Sequence, residues 1–221
     1  MLVKDRMTPN PTTITPDTLF TDAFRLIREK KIRHLPVVDR RGELIGIVAQ
    51  TDLLHASPSS ATTLTVFEIN YLLANLHIQE VMSSPPITVP EDTPLEEAAR
   101  VMVENKIGCL PVMRGDPSTS SGQALVGVIT ETDIFKAFVE VLGGGEASLR
   151  VTVRVPDVQG ELARLAGVIA GLGGNICSVA RFGSEDPEYA YLTFRLEGVE
   201  EEALLPALRG VVEVVHVCCA A

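Results

Sequence analysis

The chain nearly repeats itself. At an offset of 75 positions, Met7 falls on Met82, Pro11 on Pro86, Thr13 on Thr88, Asp17 on Asp92 and Ala23 on Ala98. Lys31-Ile32 then falls on Lys106-Ile107, and Leu35-Pro36-Val37 on Leu110-Pro111-Val112. Further along the offset becomes 81: Gly46 matches Gly127, and Thr51-Asp52 matches Thr132-Asp133. The extra residues sit in RGDPSTSSGQ, residues 114–123, a polar stretch rich in Gly, Ser and Pro that reads as a surface loop. A duplicated unit too small to bury its own sheet must pack against its copy, and this restricts the first part of the chain to a paired architecture.

Each copy carries the same elements. A short strand (Thr12–Ile14, Ile87–Val89) leads into a helix. In the second copy Thr93-Pro94-Leu95-Glu96 has the form of a capping box with Pro at the first helical position. Leu95, Ala98, Ala99 and Met102 then fall on one helix face. Two β-branched runs follow, Leu35–Val38 and Leu44–Val48 in the first copy, joined by a turn at Asp39-Arg40-Arg41-Gly42. A second helix starts near Asp52 or Asp133, so the plan of each copy is β-α-β-β-α. Between the copies, Thr63–Leu76 predicts a connecting helix through Val66, Ile69, Asn70, Leu73 and Leu76. That segment has no Lys or Arg, which argues against a membrane-surface role.

Composition narrows the function. Of the 221 residues, 46% are hydrophobic and 22% charged, enough for real cores and too apolar for a disordered tail. The net charge of −10 divides as +1 over residues 1–77 (9 basic, 8 acidic), −7 over 78–147 (4 and 11) and −4 over 148–221 (6 and 10). Without a basic cluster, and with no Trp and only 5% aromatics, a nucleic-acid partner is not expected. No apolar run is long enough to span a membrane, and the N-terminus lacks the apolar core of a secretory signal, so a cytoplasmic protein is expected. Cys109, Cys177, Cys218 and Cys219 form no C-x-x-C pair and fit reduced thiols. His216, Cys218 and Cys219 have zinc-binding chemistry but lack a second ligand pair.

The repeated residues resemble a tandem cystathionine-β-synthase-type (CBS) domain pair. The blocks are Val3-Lys4-Asp5-Arg6-Met7, Ile32–Asp39 and Gly46–Asp52, with Gln79–Met82, Ile107–Val112 and Gly127–Asp133 in the second copy. The resemblance implies a regulatory module that binds AMP, ATP or S-adenosylmethionine rather than a catalyst. Chemically, a ribose diol needs a carboxylate acceptor, a phosphate needs a hydroxyl and a helix N-terminus, and a base needs an apolar slot. The family pattern G-h-h-[Ser/Thr]-x-x-[Asp/Asn] supplies the first two. It is intact at Gly127, Thr130 and Asp133, whereas Ala49 replaces the hydroxyl before Asp52. The resemblance joins Thr130, Asp133 and Val128 to Thr12, Ile32 and Arg33 in one nucleotide site. It joins Asp52 and Ile47 to Ile87, Ile107 and Gly108 in a second. With Arg33 in the first, and Lys4 and Arg6 expected nearby, that site should prefer phosphate, and the Asp52 site should be weak or empty. The structural alternatives are Asp52 and Asp133, or Thr51 and Thr132, as helix caps, Arg33 as a solvated charge, and His34 as a half-buried strand residue.

After Gly143-Gly144-Gly145 the periodicity changes. Leu149–Val155 alternates as a strand, Pro156–Gly160 turns, Leu162–Ala170 forms a helix, and Gly173-Gly174 stops it. Strands at Asn175–Arg181 and Tyr189–Leu196, a helix at Val199–Leu208 and a strand at Val211–Val217 complete a ferredoxin-like β-α-β-β-α-β order. With D-x-x-G-x-L before the first helix, the segment resembles an ACT domain, which implies a small amino-acid ligand. Its amino group would meet Asp157 and its carboxylate the backbone at Gly160–Glu161, with Asn175 across the slot. Gln159 stands where the family usually has Pro. The alternative is that Asp157 and Gly160 shape the turn and Asn175 takes a left-handed cap.

The expected organisation is an α+β chain. CBS repeat 1 covers 1–62, a connecting helix 63–77, CBS repeat 2 78–142, a Gly linker 143–147 and an ACT domain 148–221. The combination is similar to acetoin-utilisation-type regulatory proteins. It implies a homodimeric sensor with an adenine nucleotide as ligand and a regulated protein that the residues do not identify. No G-x-S-x-G, Walker lysine or H-E-x-x-H motif supports an enzyme. A scaffold or dimerisation protein with degenerate sites, or less readily an enzyme, is the other reading.

Overall fold

The structure is a computed structural model describing residues 1–57, 65–115, 124–144 and 148–220. Residues 116–123 of the polar insertion and linker residues 145–147 lie outside them. The chain divides into two compact units, Met1–Ile134 and Phe135–Ala221.

In the first unit the copies exchange segments. The elements of the first copy are β1 (Thr8–Pro9), α1 (Phe20–Lys30), β2 (His34–Val38), β3 (Leu44–Ala49) and α2 (Gln50–Ala56). After α3 (Val66–Ala74) the second copy supplies β4 (Val89–Pro90), α4 (Leu95–Asn105), β5 (Cys109–Arg114), β6 (Ala124–Thr130) and α5 (Glu131–Val141), which carries on past the division between units. One sheet runs β1-β6-β5-β4. Thr8 of the first copy sits opposite Val128 of the second, and in the mirror arrangement Ser83 of the second bridges Ile47 of the first. Val89 pairs in parallel with Val112, just as Ile14 bridges Val37. The helix starts follow the same symmetry. Phe20 N donates to Leu76 O at 2.8 Å, and Leu95 N to Met1 O at 3.1 Å.

That exchange corrects two expectations. Thr93 does not cap α4. The N-cap is Pro94, without a side-chain cap bond, because the free N–H of Leu95 is satisfied by the backbone of the N-terminal segment. The strand expected at Thr12–Ile14 shrinks to a single bridge at Ile14, since Pro11 and Pro16 withhold ladder donors on either side.

It also explains the glycine that precedes each Asp motif. A β-carbon on Gly127 would lie 2.5 Å from Met7 Sδ and 3.0 Å from Thr8 O; on Gly46 it would lie 2.6 Å from Met82 Sδ and 3.1 Å from Ser83 O. Each glycine is the place where the other copy's chain crosses the strand. Gly127→Ala should therefore lower stability by about 1–3 kcal/mol through overpacking. Urea melts showing no shift in midpoint would mean that Met7 moves aside at no cost.

Apolar faces close the unit. Ala23, Ile27, Leu35, Val48, Leu53 and Ile78 are buried around α1, and Leu73 and Leu76 from the connecting segment pack against them. Ala98, Met102, Leu110 and Ile129 are their buried counterparts in the second copy.

The second unit contains β7 (Ser148–Pro156), α6 (Glu161–Gly171), β8 (Asn175–Gly183), β9 (Tyr189–Glu197), α7 (Glu201–Arg209) and β10 (Glu213–Ala220). This β-α-β-β-α-β order builds an antiparallel sheet in the order β10-β7-β9-β8. Val151, Val153 and Val155 of β7 and Phe194 of β9 share one face with Leu165 and Ile169 of α6 and Leu204 and Leu208 of α7. Thr152 and Thr193 lie on the other face, their hydroxyls 2.9 Å apart.

Candidate functional site

Two cavities open where a strand passes into a helix in each copy. The first, of about 300 Å³, is lined from β6 and α5 by Val128, Thr130, Thr132 and Asp133, and from the first copy by Thr12, Ile32, Arg33 and His34 among others. All six residues expected in this nucleotide site are brought together. The second cavity, of about 390 Å³, is lined by Ile47, Ala49, Thr51 and Asp52 of the first copy, and by Ile87, Ile107 and Gly108 of the second. It contains all five residues expected there. Lys4 and Arg6 line neither cavity; Lys4 N is instead tied to Glu91 O at 2.8 Å.

Each Asp is held from behind. Asp133 Oδ2 accepts from Thr130 N at 3.0 Å and from Thr130 Oγ1 at 2.6 Å. Asp52 Oδ2 accepts from Ala49 N at 2.7 Å, with no hydroxyl partner at position 49. Both stand in the third helical position, reaching back to the residue before the helix, so they do cap. Among the described residues the second carboxylate oxygen of each makes no hydrogen bond. Capping thus occupies one oxygen of each carboxylate and leaves the other available as an acceptor. Thr51 and Thr132 lie one residue inside their helices and are not N-caps.

The cavities differ in charge. Arg33 NH2 donates to Thr132 Oγ1 at 2.8 Å, so the guanidinium lies against the N-terminus of α5. That helix end already favours anions, and Lys31 adds a second cation to the lining. In the other cavity Gly108 takes the place of Arg33, and a β-carbon there would lie 3.3 Å from the Glu131 carboxyl. Among the described residues only Lys106 supplies a fixed cation. Lys31 and Lys106 both adopt left-handed backbone, at φ of 53° and 55°, as the C-caps of α1 and α4. The left-handed turn at the end of each helix places them in the cavity lining.

His34 was expected to be a half-buried strand residue. It is half-buried and opens β2, and it lines both cavities. Burial pushes its imidazole below its usual pKa, and Arg33 adds to the effect while Asp52 opposes it. Its counterpart Cys109 is buried and lines the Asp52 cavity. Burial, with Asp133 adding, raises that thiol to about 12.

The CBS domain pattern matches residues 3–59 and 78–140. The chain belongs to the CBS-domain family. Among proteins similar to it, the chloroplastic CBSX2 of Arabidopsis thaliana is 30% identical over 158 residues, covering 63% of this chain and 64% of that one. A CBS-domain protein of Dictyostelium discoideum is 30% identical over 64% of this chain and 94% of its own. A crystal structure of CBSX2 in complex with AMP matches with a TM-score of 0.50 and 31% identity, over 63% of this chain and 97% of that one. The CBS pair of MJ0100 in complex with 5′-methylthioadenosine and S-adenosyl-L-methionine matches at 0.51 and 26%, over 63% and 97%. A putative acetoin utilisation protein, AcuB, from Vibrio cholerae matches at 0.51 and 34%, over 65% and 93%. These matches cover 63–65% of the chain, and the CBS domain pattern itself ends at residue 140.

In that unit the expected amino-acid site is only partly assembled. Gly160 has φ 96° and forms the N-cap of α6, so the turn-shaping role holds. Asp157 is paired with Arg181 at 2.5 Å, and Glu161 with Arg164 at 2.5 Å. Asn175 does not sit across a slot from them within one chain. Pro156, beside Asp157, pairs with Tyr189, whereas Asn175 pairs with Glu197 at the other end of β9, roughly 26 Å away at strand rise. The reason is α6, which carries the chain back along the sheet before β8 begins. Nor does Asn175 take a left-handed cap, since it opens an extended strand. His216 and Cys218 lie on the last strand, but no cluster of three metal-ligating side chains occurs among the described residues.

Proposed function

We propose that this protein is a non-catalytic regulatory sensor that binds an adenosyl ligand in its CBS pair. One observation carries the reading. In each cavity an Asp at a helix start shares the lining with isoleucine from the other copy, Ile32 in the Asp133 cavity and Ile87 and Ile107 in the Asp52 cavity, which would provide a ribose acceptor and a base slot together. The Asp133 cavity is the phosphate-preferring one and takes AMP or ATP. The Asp52 cavity, with Glu131 beside Gly108 and no hydroxyl at Ala49, binds more weakly and suits a ligand without phosphate, S-adenosylmethionine included. AMP at 100 times its Kd should add about 2.7 kcal/mol of stability. If neither AMP, ATP nor S-adenosylmethionine moves the melting temperature, the protein is instead a scaffold with degenerate sites.

We assign residues 1–62 and 78–142 to the two CBS repeats, 63–77 to the connecting helix, 143–147 to a linker and 148–221 to an ACT domain with a small amino-acid ligand. Asp157 would exchange its Arg181 partner for the ligand's amino group, and Asn175 can reach the same ligand only from a second copy. A small amino acid should therefore bind wild type and not Asp157→Ala, with nucleotide binding unaffected. If no amino acid binds, the C-terminal unit is a pairing device. Exposed Phe135, Phe138 and Val139 recur at helical spacing on α5, with exposed Leu142 just beyond its end, and Val179 and Phe182 are exposed on the edge strand β8. Both faces favour a homodimer, acting in the cytoplasm on a protein yet to be found. Light scattering at micromolar concentration should give twice the 23.8 kDa chain mass, and a monomer would count against it.

A further inference from the structure

We propose that His34 couples the two cavities: the ligand held by Asp133 sets whether this imidazole presents a proton to the ligand held by Asp52. The inference rests on the nucleotide reading above and deepens it. The geometry is that of a shared wall, since His34 lines both cavities from the first position of β2. Among the described residues no other side chain lines both of these cavities. Neighbouring charges come from each side. Asp52, Lys106 and Cys109 line the same cavity as His34 on one side, and Lys31, Arg33 and Asp133 on the other. Cys109, near 12, stays a thiol throughout.

The direction follows from these charges. In the empty protein, burial and Arg33 keep the imidazole neutral at pH 7. A phosphate beside Arg33 offsets the guanidinium and adds negative charge, so it favours the protonated ring. His34 is then a cation on the wall of the Asp52 cavity. It attracts a second anionic ligand there and repels a sulfonium. Linkage is reciprocal, so AMP binding takes up a proton and tightens as pH falls through the ring's bound-state pKa.

The imidazole resonances of His34, identified by their loss in His34→Gln, are titrated by NMR between about pH 5 and pH 8 with and without AMP. The expected result is a midpoint below 6.5 in the free protein, moved upward by AMP in wild type and left in place in Asp133→Ala. Calorimetry should further show that AMP weakens S-adenosylmethionine binding about 5-fold or more in wild type, and that the effect is lost in both His34→Gln and His34→Asn. An unmoved midpoint while AMP binds would overturn the coupling and leave the nucleotide reading standing. Failure of AMP to bind at all would remove both.

Discussion

Asp133→Ala is expected to weaken AMP binding roughly 10- to 150-fold, the equivalent of about 1.5–3 kcal/mol for a charge-assisted hydrogen bond. In the proposed reading Asp133 accepts from the ribose, in a cavity that Thr130, Arg33 and Lys31 also line. The substitution also removes the bonds to Thr130 N and Oγ1, so the start of α5 loosens as well. Asp133→Asn separates the two effects, because an amide oxygen still accepts from Thr130 N while losing its charge. Asp52→Ala should cost less, since Ala49 and Gly108 leave its ligand fewer partners. Arg33→Ala should weaken AMP more than adenosine, as its guanidinium lies at the helix end where phosphate would sit. Equal losses for Asp52→Ala and Asp133→Ala in a calorimetric titration would refute the asymmetry. Equal losses of AMP and adenosine for Arg33→Ala would make that residue a packing group.

The lining of both cavities was legible in the sequence because the duplication reports on it twice. Asp133 is read against an identical repeat partner, Asp52, and the two places where the copies differ, Thr130 against Ala49 and Arg33 against Gly108, mark how the cavities differ. What remained hidden depends on where one copy crosses the other. Gly46 and Gly127 look like loop-forming residues of a ligand motif, yet the atoms that exclude a side chain are Met82 and Met7, about 36 and 120 residues away in the chain. Thr93 followed by Pro94 has every local mark of a helix cap. It loses that role to Met1 O, a partner that no local pattern contains. His34 looks like an ordinary strand residue until the two cavities close on either side of it. The C-terminal unit has no internal duplicate. Its alternation fixed the strands, but the placement of Asn175 depended on the direction in which α6 returns, and the sequence does not carry that.

Phe194→Ala should have the largest effect on stability in the C-terminal unit. Phe194 is 1% exposed at the middle of β9, opposite Val151 on β7 and Val179 on β8, with Leu165, Ile169, Leu204 and Leu208 in the same core. Truncating a buried Phe costs about 3–5 kcal/mol in lost transfer energy and residual cavity. A domain of this size holds only about 5–15 kcal/mol in total, so the loss removes a large share of it. The cores of the two units are built from different residues, Leu110 and Ile129 among those of the CBS pair and Phe194 in the other. The sheet of β7 to β10 should therefore melt at a lower temperature in Phe194→Ala, and AMP should still stabilise the CBS pair. Leu110→Ala, at about 2–5 kcal/mol, should do the reverse, abolishing AMP binding while the C-terminal transition stays in place. Calorimetric scans with and without AMP distinguish the outcomes. Loss of AMP binding in Phe194→Ala would show that the two units fold as one cooperative body, and that a signal at the C-terminal unit reaches the nucleotide cavities through stability itself.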